Sequence, residues 1–204
     1  MRARILAAAF SVFMERGYAG ASTLEIATRA KASKRELYAL FGNKRAMLLA
    51  CIAGRAARMR VALEVPCPSD GASLHATLTG FGATLLREAS DPAVIAVYRL
   101  AIQEVQSPEV ARSLDAAGRK ATRAALARLL AQAQSDGLIG EGEVETMGGR
   151  FLALLWGDLQ LRLLLNLARP PSRRSLEDRA RAAADALLAL YPPRRAPAHD
   201  AASG

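Results

Sequence analysis

Basic side chains concentrate in the first third of this 204-residue sequence, where they could bind a polyanion. Residues 1–60 contain 12 Lys and Arg against three Glu, whereas residues 61–204 contain 16 basic and 16 acidic residues. The whole net charge of +9 therefore lies in the first 60 residues. A basic module joined to a neutral one indicates that the first binds a polyanion and that the second has another task.

Residues suited to catalysis or metal binding are sparse by comparison. The only histidines are His75 and His199, and no G-x-S-x-G, H-E-x-x-H, Walker A or G-x-G-x-x-G motif occurs. Cys51 and Cys67 lack the C-x-x-C spacing of a zinc site and cannot form a disulfide framework. We therefore expect no catalytic residue, no metal and no cofactor.

Helical patterning extends over the whole chain. Aromatic residues make up only 5% of the sequence while Ala and Leu are abundant, which favours helices over strands. The most apolar stretch, residues 151–168, carries Asp158 and Arg162, which disfavours a membrane span. We predict an intracellular all-α protein with about nine helices, near residues 2–16, 22–30, 33–41, 44–63, 73–89, 92–105, 108–135, 142–168 and 174–190.

The second and third predicted helices are short, consecutive and joined by about two residues, which is the geometry of a helix-turn-helix. The second helix of such a pair lies in the major groove of DNA, and an eight-residue helix of about 12 Å matches the width of that groove. A small core between the helices is predicted from Ile26, Ala27, Ala30, Leu37 and Phe41. The outward face is then left to Lys34, Arg35, Tyr38 and Ala39.

The residue types and spacings of this region carry a family resemblance. They run Ile5-Leu6-x-x-Ala9-x-x-x-x-Phe13-x-x-x-Gly17-Tyr18, then Thr23-x-x-Ile26-Ala27-x-x-Ala30, then continuously from Ala32 to Lys44. Over residues 2–49 the sequence resembles the TetR family of transcriptional regulators. The remainder, with Arg99-Leu100-x-x-x-Glu104 and two apolar helices at the end, resembles the AefR-like regulatory domains of that family.

The resemblance implies a role for the first turn of the recognition helix. Lys34 and Arg35 lie there and could donate to O6 and N7 of guanine. Ala39 is small enough to approach a thymine methyl group. Seven residues are expected to contact DNA: Thr23, Ser33, Lys34, Arg35, Tyr38, Ala39 and Lys44.

Phosphate contacts are implied for residues on the neighbouring elements. Thr23 would meet a phosphate at a helix N-terminus, Tyr38 would meet the DNA backbone, and Lys44 would contact a phosphate. Two positions depart from the family pattern. Lys31 replaces a turn glycine, so backbone strain is expected, and Glu36 replaces a small hydroxyl residue. Glu36 is better explained as a capping residue for Ser33, three positions earlier.

The resemblance also implies that the neutral part dimerises and binds a small effector. We expect residues 1–46 to form the DNA-binding domain, with a connecting helix at about 44–63. Residues 47–191 are expected to form the effector-binding and dimerisation domain, and residues 192–204 a disordered tail. Pocket residues are predicted at Phe81, Tyr98, Ile102 and Trp156. Dimer contacts are predicted at Leu155, Leu159, Leu163 and Leu187.

Two alternatives remain for the apolar segment between residues 151 and 166. It is apolar on most of its circumference and must be buried on several sides, either against a second subunit or wholly within its own chain. The stripe of Asp158, Arg162 and Asn166 could be a local contact, fix the register of a dimer or line a pocket.

The expected function is that of a cytoplasmic repressor. It would bind a palindromic operator in double-stranded DNA as a homodimer, without a membrane partner, and a small-molecule effector would release it. An activator of the same family is the nearest alternative. A different class, a basic nucleic-acid or membrane-surface binder using residues 44–60, would show no preference for DNA sequence.

Overall fold

The computed structural model describes residues 1–61, 67–103, 112 and 115–193, and these are helical with no strand among them. The described residues form ten α-helices and one π-helix. The first six are α1 (Arg2–Gly20), α2 (Thr23–Arg29), α3 (Lys34–Phe41), α4 (Lys44–Val61), α5 (Gly71–Ala89) and α6 (Pro92–Gln103). A π-helix (Asp115–Lys120) leads into α7 (Ala121–Ser135), which precedes α8 (Val144–Trp156), α9 (Leu159–Leu164) and α10 (Arg173–Leu190).

Local capping chemistry sets the ends of the first four helices. Gly17 breaks the end of α1 because its φ of 67° lies in the left-handed region that glycine tolerates. Ser22 caps α2 by accepting from the Leu24 amide. Ser33 forms the expected capping box with Glu36 at the start of α3. Asn43 Oδ1 accepts from the Ala46 amide at the start of α4.

The N-terminal helices enclose one small core. The five predicted residues between α2 and α3 are all buried there, which confirms the predicted helix-turn-helix packing. Ile5, Val12 and Phe13 of α1 and Met47 and Leu48 of α4 complete this core.

A second, larger core lies in the C-terminal part. Helices α5, α8 and α10 pack together around Phe81 and Phe151, whose ring centroids are 6.2 Å apart. At Gly82 of α5 an added Cβ would lie 3.0 Å from Leu155 and 3.1 Å from Ala180. The absence of a side chain at this position therefore allows the three helices to approach closely.

The predicted helix at 142–168 is divided in two. Gly157, with φ 45° and ψ −125°, ends α8, and α9 begins two residues later. This division accounts for a tenth helix beyond the nine predicted. The first part of the predicted helix at 108–135 and residues 194–204 of the predicted tail lie outside the described residues.

The described part of the chain has neither a helix suited to span a membrane nor a cluster of potential metal ligands. None of its helices is long and apolar enough to span a bilayer. No group of three potential metal-ligating side chains occurs there either.

Two glycines of α5, Gly80 and Gly82, test the close packing at Gly82. Gly82→Val should lower the free energy of unfolding by about 1–3 kcal/mol, because the new side chain overpacks the contact with Leu155 and Ala180. Gly80→Ala is the matched control, since nothing lies within 4 Å of its added Cβ. It should raise stability by about 0.5–1 kcal/mol. Urea denaturation measures both, and a Gly82→Val variant as stable as the parent would contradict this packing.

Candidate DNA-binding surface and ligand cavity

Helix α3 turns one face to the core and the other to solvent. Leu37 is fully buried, whereas Lys34, Arg35, Tyr38 and Ala39 are all exposed. This is the arrangement expected of a recognition helix, because its basic first turn is free to enter a groove.

A side-chain contact joins the two helices at this surface. The Thr23 hydroxyl of α2 and the Tyr38 hydroxyl of α3 lie 3.2 Å apart. The structure therefore brings together two residues that the sequence assigned to the DNA backbone. One phosphate oxygen could accept from both hydroxyls, because each is a donor as well as an acceptor.

The polar side-chain atoms of Ser33 and Glu36 form hydrogen bonds at the start of α3 itself. The Glu36 carboxylate accepts from the Ser33 amide at 2.7 Å and from its hydroxyl at 2.8 Å. These two hydrogen bonds lower the pKa of Glu36 below its ordinary value. The carboxylate is thus held at the helix start, as the capping interpretation predicted. The DNA contact of Ser33 stays a prediction. To make it, the Ser33 hydroxyl would have to bind DNA as well as the Glu36 carboxylate.

Lys31 has the strained backbone that its sequence position predicted. Its φ of 47° lies in the left-handed region, where a side chain is disfavoured. The Arg4 guanidinium donates to the Lys31 carbonyl at 3.2 Å and so ties this turn to α1.

Lys44 has a position that sequence reasoning did not predict. Its ammonium donates to the carbonyls of Tyr18 at 2.9 Å and Ala21 at 3.0 Å, with Ala19 at 3.5 Å. It also lies 4.6 Å from the centre of the Tyr18 ring. Lys44 therefore caps the end of α1, and the phosphate contact implied by family resemblance would require it to release a carbonyl.

An ion-pair cluster fixes α2 against α1. Arg29 donates to both carboxylate oxygens of Glu15, at 2.5 and 2.6 Å, and to Glu25 at 2.6 Å. Hydrogen bonds from Arg29, and then from Ser11, lower the pKa of Glu15 to about 2. The hydrogen bond to Glu15 likewise raises the pKa of Arg29. The cluster sets the position of the helix-turn-helix relative to α1.

A cavity of about 280 Å³ lies in the C-terminal part, between α5, α6, the π-helix, α7 and α8. Its walls include Tyr98 and Trp156, two of the four predicted pocket residues. The other two lie elsewhere. Phe81 is fully buried against Phe151 in the core, and Ile102 is 57% exposed at the end of α6.

Four polar residues of the cavity were not predicted from the sequence: Arg119, Thr122, Arg123 and Gln160. They line it together with apolar side chains. Arg119 and Arg123 are four residues apart, a spacing visible in the sequence, which places them on one helix face. Periodicity alone does not tell which element that face meets.

The leucines predicted for the dimer interface belong instead to the core of their own chain. This corrects the expectation, because exposure of Leu155, Leu159, Leu163 and Leu187 is at most 7%. Leu155, Leu159 and Leu163 form an i, i+4 row that turns inward, Leu187 of α10 is buried as well, and the opposite face of the 154–167 segment is exposed. The exposed leucines of this region are Leu154, Leu161, Leu165, Leu167 and Leu190.

The polar stripe on this segment makes a local contact. Arg162 and Asp158 form an exposed i, i+4 pair at 3.8 Å. Asn166 lies beyond the end of α9 with a φ of 61°, so it does not continue the stripe on the helix. None of the three lines the described cavity.

An exposed basic recognition helix beside a separate helical domain with a cavity defines a class of one-component DNA-binding regulators. Family models agree with this class. The model of bacterial regulatory proteins of the tetR family matches residues 5–51, and that of the AefR-like transcriptional repressor C-terminal domain matches residues 76–193. The chain belongs to the TetR family and is a DNA-binding transcriptional regulator; this is a family of regulators and not of enzymes.

Solved structures of the same family have the same fold. A TetR regulator from Agrobacterium tumefaciens is 25% identical, with a TM-score of 0.79 and 95% of each chain covered. A TetR-family regulator from Mesorhizobium loti is 23% identical, with a TM-score of 0.78 over 93% of this chain and 96% of its own. The flavonoid-responsive regulator FrrA is 26% identical, with a TM-score of 0.70 over 95% and 98%. No curated protein matches the sequence significantly.

The Glu15–Arg29 pair gives an acid-dependent prediction. Because the folded pKa of Glu15 is lowered to about 2 from 4.5, its contribution to stability is present above pH 4.5 and is lost as the pH falls towards 2. Glu15→Gln should therefore destabilise the protein near neutral pH and differ progressively less from the parent below pH 4.5. Urea denaturation at several pH values measures this difference.

Arg29→Gln supplies the control for this prediction. It removes the partner of Glu15, so it should also weaken the dependence of stability on pH below pH 4.5. In the double variant this pH dependence should be no weaker than in either single variant. A stability difference between Glu15→Gln and the parent that stays constant down to pH 2 would contradict the assigned ion pair.

Proposed function

We propose that this regulator is a homodimeric repressor, acting in the cytoplasm, that binds a palindromic operator and is released by a small-molecule effector. Residues 1–46 would bind DNA and residues 47–191 would bind the effector and dimerise. The observation that carries the proposal is that one side chain, Tyr98, belongs to both parts. It lines the cavity and packs against the N-terminal core.

DNA binding would centre on the exposed face of α3. Lys34 and Arg35 would reach base edges, and Ala39 would approach a thymine methyl group. Thr23 and Tyr38, with hydroxyls 3.2 Å apart, would hold the DNA backbone. Contacts from Ser33 and Lys44 would follow only if these side chains give up part of their present hydrogen bonding.

Dimerisation would use the exposed leucine surface, defined here as Leu154, Leu161, Leu165, Leu167 and Leu190. Its five leucines are between 42% and 66% exposed and come from α8, the α9 region and the end of α10. Exposed apolar patches of this kind are typical of protein interfaces. A twofold contact between two such surfaces would set the spacing of the two recognition helices, which must match half-sites about 34–36 Å apart.

Two contacts would couple the effector to DNA. Helix α6 contacts α1 and carries Tyr98 between the cavity and the N-terminal core. The π-helix contacts α4 and places Arg119 on the cavity wall. An effector that favours another arrangement of these elements would shift the separation of the recognition helices and so weaken operator binding. The flavonoid response of the similar regulator FrrA supports a small-molecule signal.

Selection of random double-stranded DNA by the purified protein, followed by sequencing, tests the function. Enrichment of an inverted repeat would support sequence-specific binding by a twofold dimer. Binding without enrichment would favour the non-specific basic binder. Transcription from the selected operator with and without the protein then separates a repressor from an activator.

Substitutions in α3 should alter sequence preference. Lys34→Ala or Arg35→Ala should each cost about 1–3 kcal/mol of operator affinity and relax selection at one base pair. Quantitative binding to the selected operator and its single-base variants measures the effect. An equal loss of affinity for all DNA sequences would contradict contacts of Lys34 and Arg35 with base edges.

Lys44→Ala is the comparison for a phosphate contact. It should weaken all sequences alike and reduce the salt dependence by about one counterion if Lys44 reaches a phosphate. An unchanged salt dependence with lowered stability would assign Lys44 to the cap of α1 alone.

A charge in the exposed leucine surface should break the dimer. Leu161→Glu should shift the protein from dimer to monomer, because it places a carboxylate in an apolar contact. Light scattering after size-exclusion chromatography measures the mass. Leu24→Glu is the matched control, since Leu24 is 58% and Leu161 59% exposed but Leu24 lies in α2. A dimer that survives Leu161→Glu and also Leu165→Glu would contradict this interface.

A further inference from the structure

We infer that the cavity binds a small organic anion with an aromatic body, its anionic group on Arg119 and Arg123 and its ring against Tyr98 and Trp156. This inference deepens the proposed function, on which it rests, by naming the chemical class of the effector. It depends on the charge, the lining and the size of the cavity.

The charge of the lining has one sign. Arg119 and Arg123 are the charged residues on the described wall of the cavity, and no Asp or Glu is among the described lining residues. A neutral ligand would leave the Arg123 guanidinium without a counter-charge and Arg119 with Asp115 alone. Carboxylate and phosphate match the planar fork of arginine donors, which binds such groups through two parallel hydrogen bonds.

The neighbouring carboxylate does not neutralise this charge. Asp115 pairs with Arg119 at 3.5 Å and with Lys120 at 3.8 Å, so one carboxylate serves two cations. Arg123 has no ion pair with any described residue. An anion between Arg119 and Arg123 would therefore add a counter-charge to a wall that is locally positive. It would not have to compete with a carboxylate that already neutralises both arginines.

The rest of the cavity suits a flat apolar body. Leu85, Leu152 and Ala153 line it together with the rings of Tyr98 and Trp156. Aromatic side chains favour offset or edge-on contact with another ring. Burial raises the pKa of the Tyr98 phenol, so this wall of the cavity stays neutral at physiological pH.

The size of the cavity suits a small ligand. Its volume of about 280 Å³ lies near the lower end of the range of roughly 300–1,000 Å³ found for sites of drug-sized ligands. Gln160 adds an amide to the same lining, which could accept or donate one further hydrogen bond.

The test uses three naphthalene probes that share one body and differ in the head group. These are 2-naphthoate, 2-naphthyl phosphate and the neutral 2-naphthamide, titrated calorimetrically into the full-length protein without DNA. We expect at least one anionic probe to bind about ten-fold tighter than the amide, which corresponds to one charge-assisted hydrogen bond. The better of the two anions identifies the head group as carboxylate or phosphate.

Arginine variants locate the anionic group. Arg119→Gln and Arg123→Gln should each reduce the preference for the anion over the amide to less than about three-fold. Arg128→Gln should leave it unchanged, because Arg128 is an exposed arginine of the same helix as Arg123 but does not line the cavity. Circular dichroism of each variant checks that the fold is retained.

The sole tryptophan supplies a marker for the site. Since Trp156 is the only Trp in the sequence and lines the cavity, its single indole N–H resonance should shift on binding of the anion. An amide that binds as tightly as both anions, a preference that survives both arginine substitutions, an unmoved indole signal, or no binding of any probe at millimolar concentration would each overturn the inference.

Operator release is measured separately with the anion that binds. Binding through Arg119 and Arg123 without release would retain the ligand class and refute the proposed regulation. Release of the operator by the amide alone would retain the regulation and refute the ligand class.

Discussion

Helix α4 must pack in two cores at once, and the relation between the two parts of the chain depends on this constraint. Its first half buries Met47, Leu48 and Cys51 in the N-terminal core. The helix also contacts the π-helix, α5 and α7 of the C-terminal part. Lys44 holds its first turn to the end of α1 through backbone carbonyls. Because a helix is stiff over this length, displacement of its far end must tilt the helix-turn-helix or strain these contacts.

The elements around the cavity are arranged to act on this helix. A π-helix is rare and frequently lies at a functional site. Here it lies between the cavity, through Arg119, and α4. Helix α6 is held from the other side, because Arg99 donates to the carbonyls of Leu163 and Leu164 at the end of α9. The π-helix and α6, which both line the cavity, are thus each tied to a further helix.

Charges in the N-terminal part are divided between holding the fold and meeting DNA. The three acids of the first 60 residues all have local partners: Glu15 and Glu25 bind Arg29, and Glu36 caps α3. Their carboxylates are therefore all engaged within the domain. Lys34 and Arg35 form no ion pair with any described residue, so their charge faces solvent on the recognition helix. Long-range attraction to a polyanion and local stability are thus supplied by different residues.

The sequence by itself determined the features that depend on neighbours along the chain. Helix starts at Ser22, Ser33 and Asn43, the break at Gly17 and the outward face of α3 follow from short-range hydrogen bonding and helical periodicity. Only the tertiary structure decided which side of an apolar helix turns inward, because periodicity defines a face but not its partner. The row through Leu155 and Leu159 lies inside and the one through Leu161 outside for this reason. The same holds for the cavity, whose arginines come from helices distant in sequence from the wall that they face.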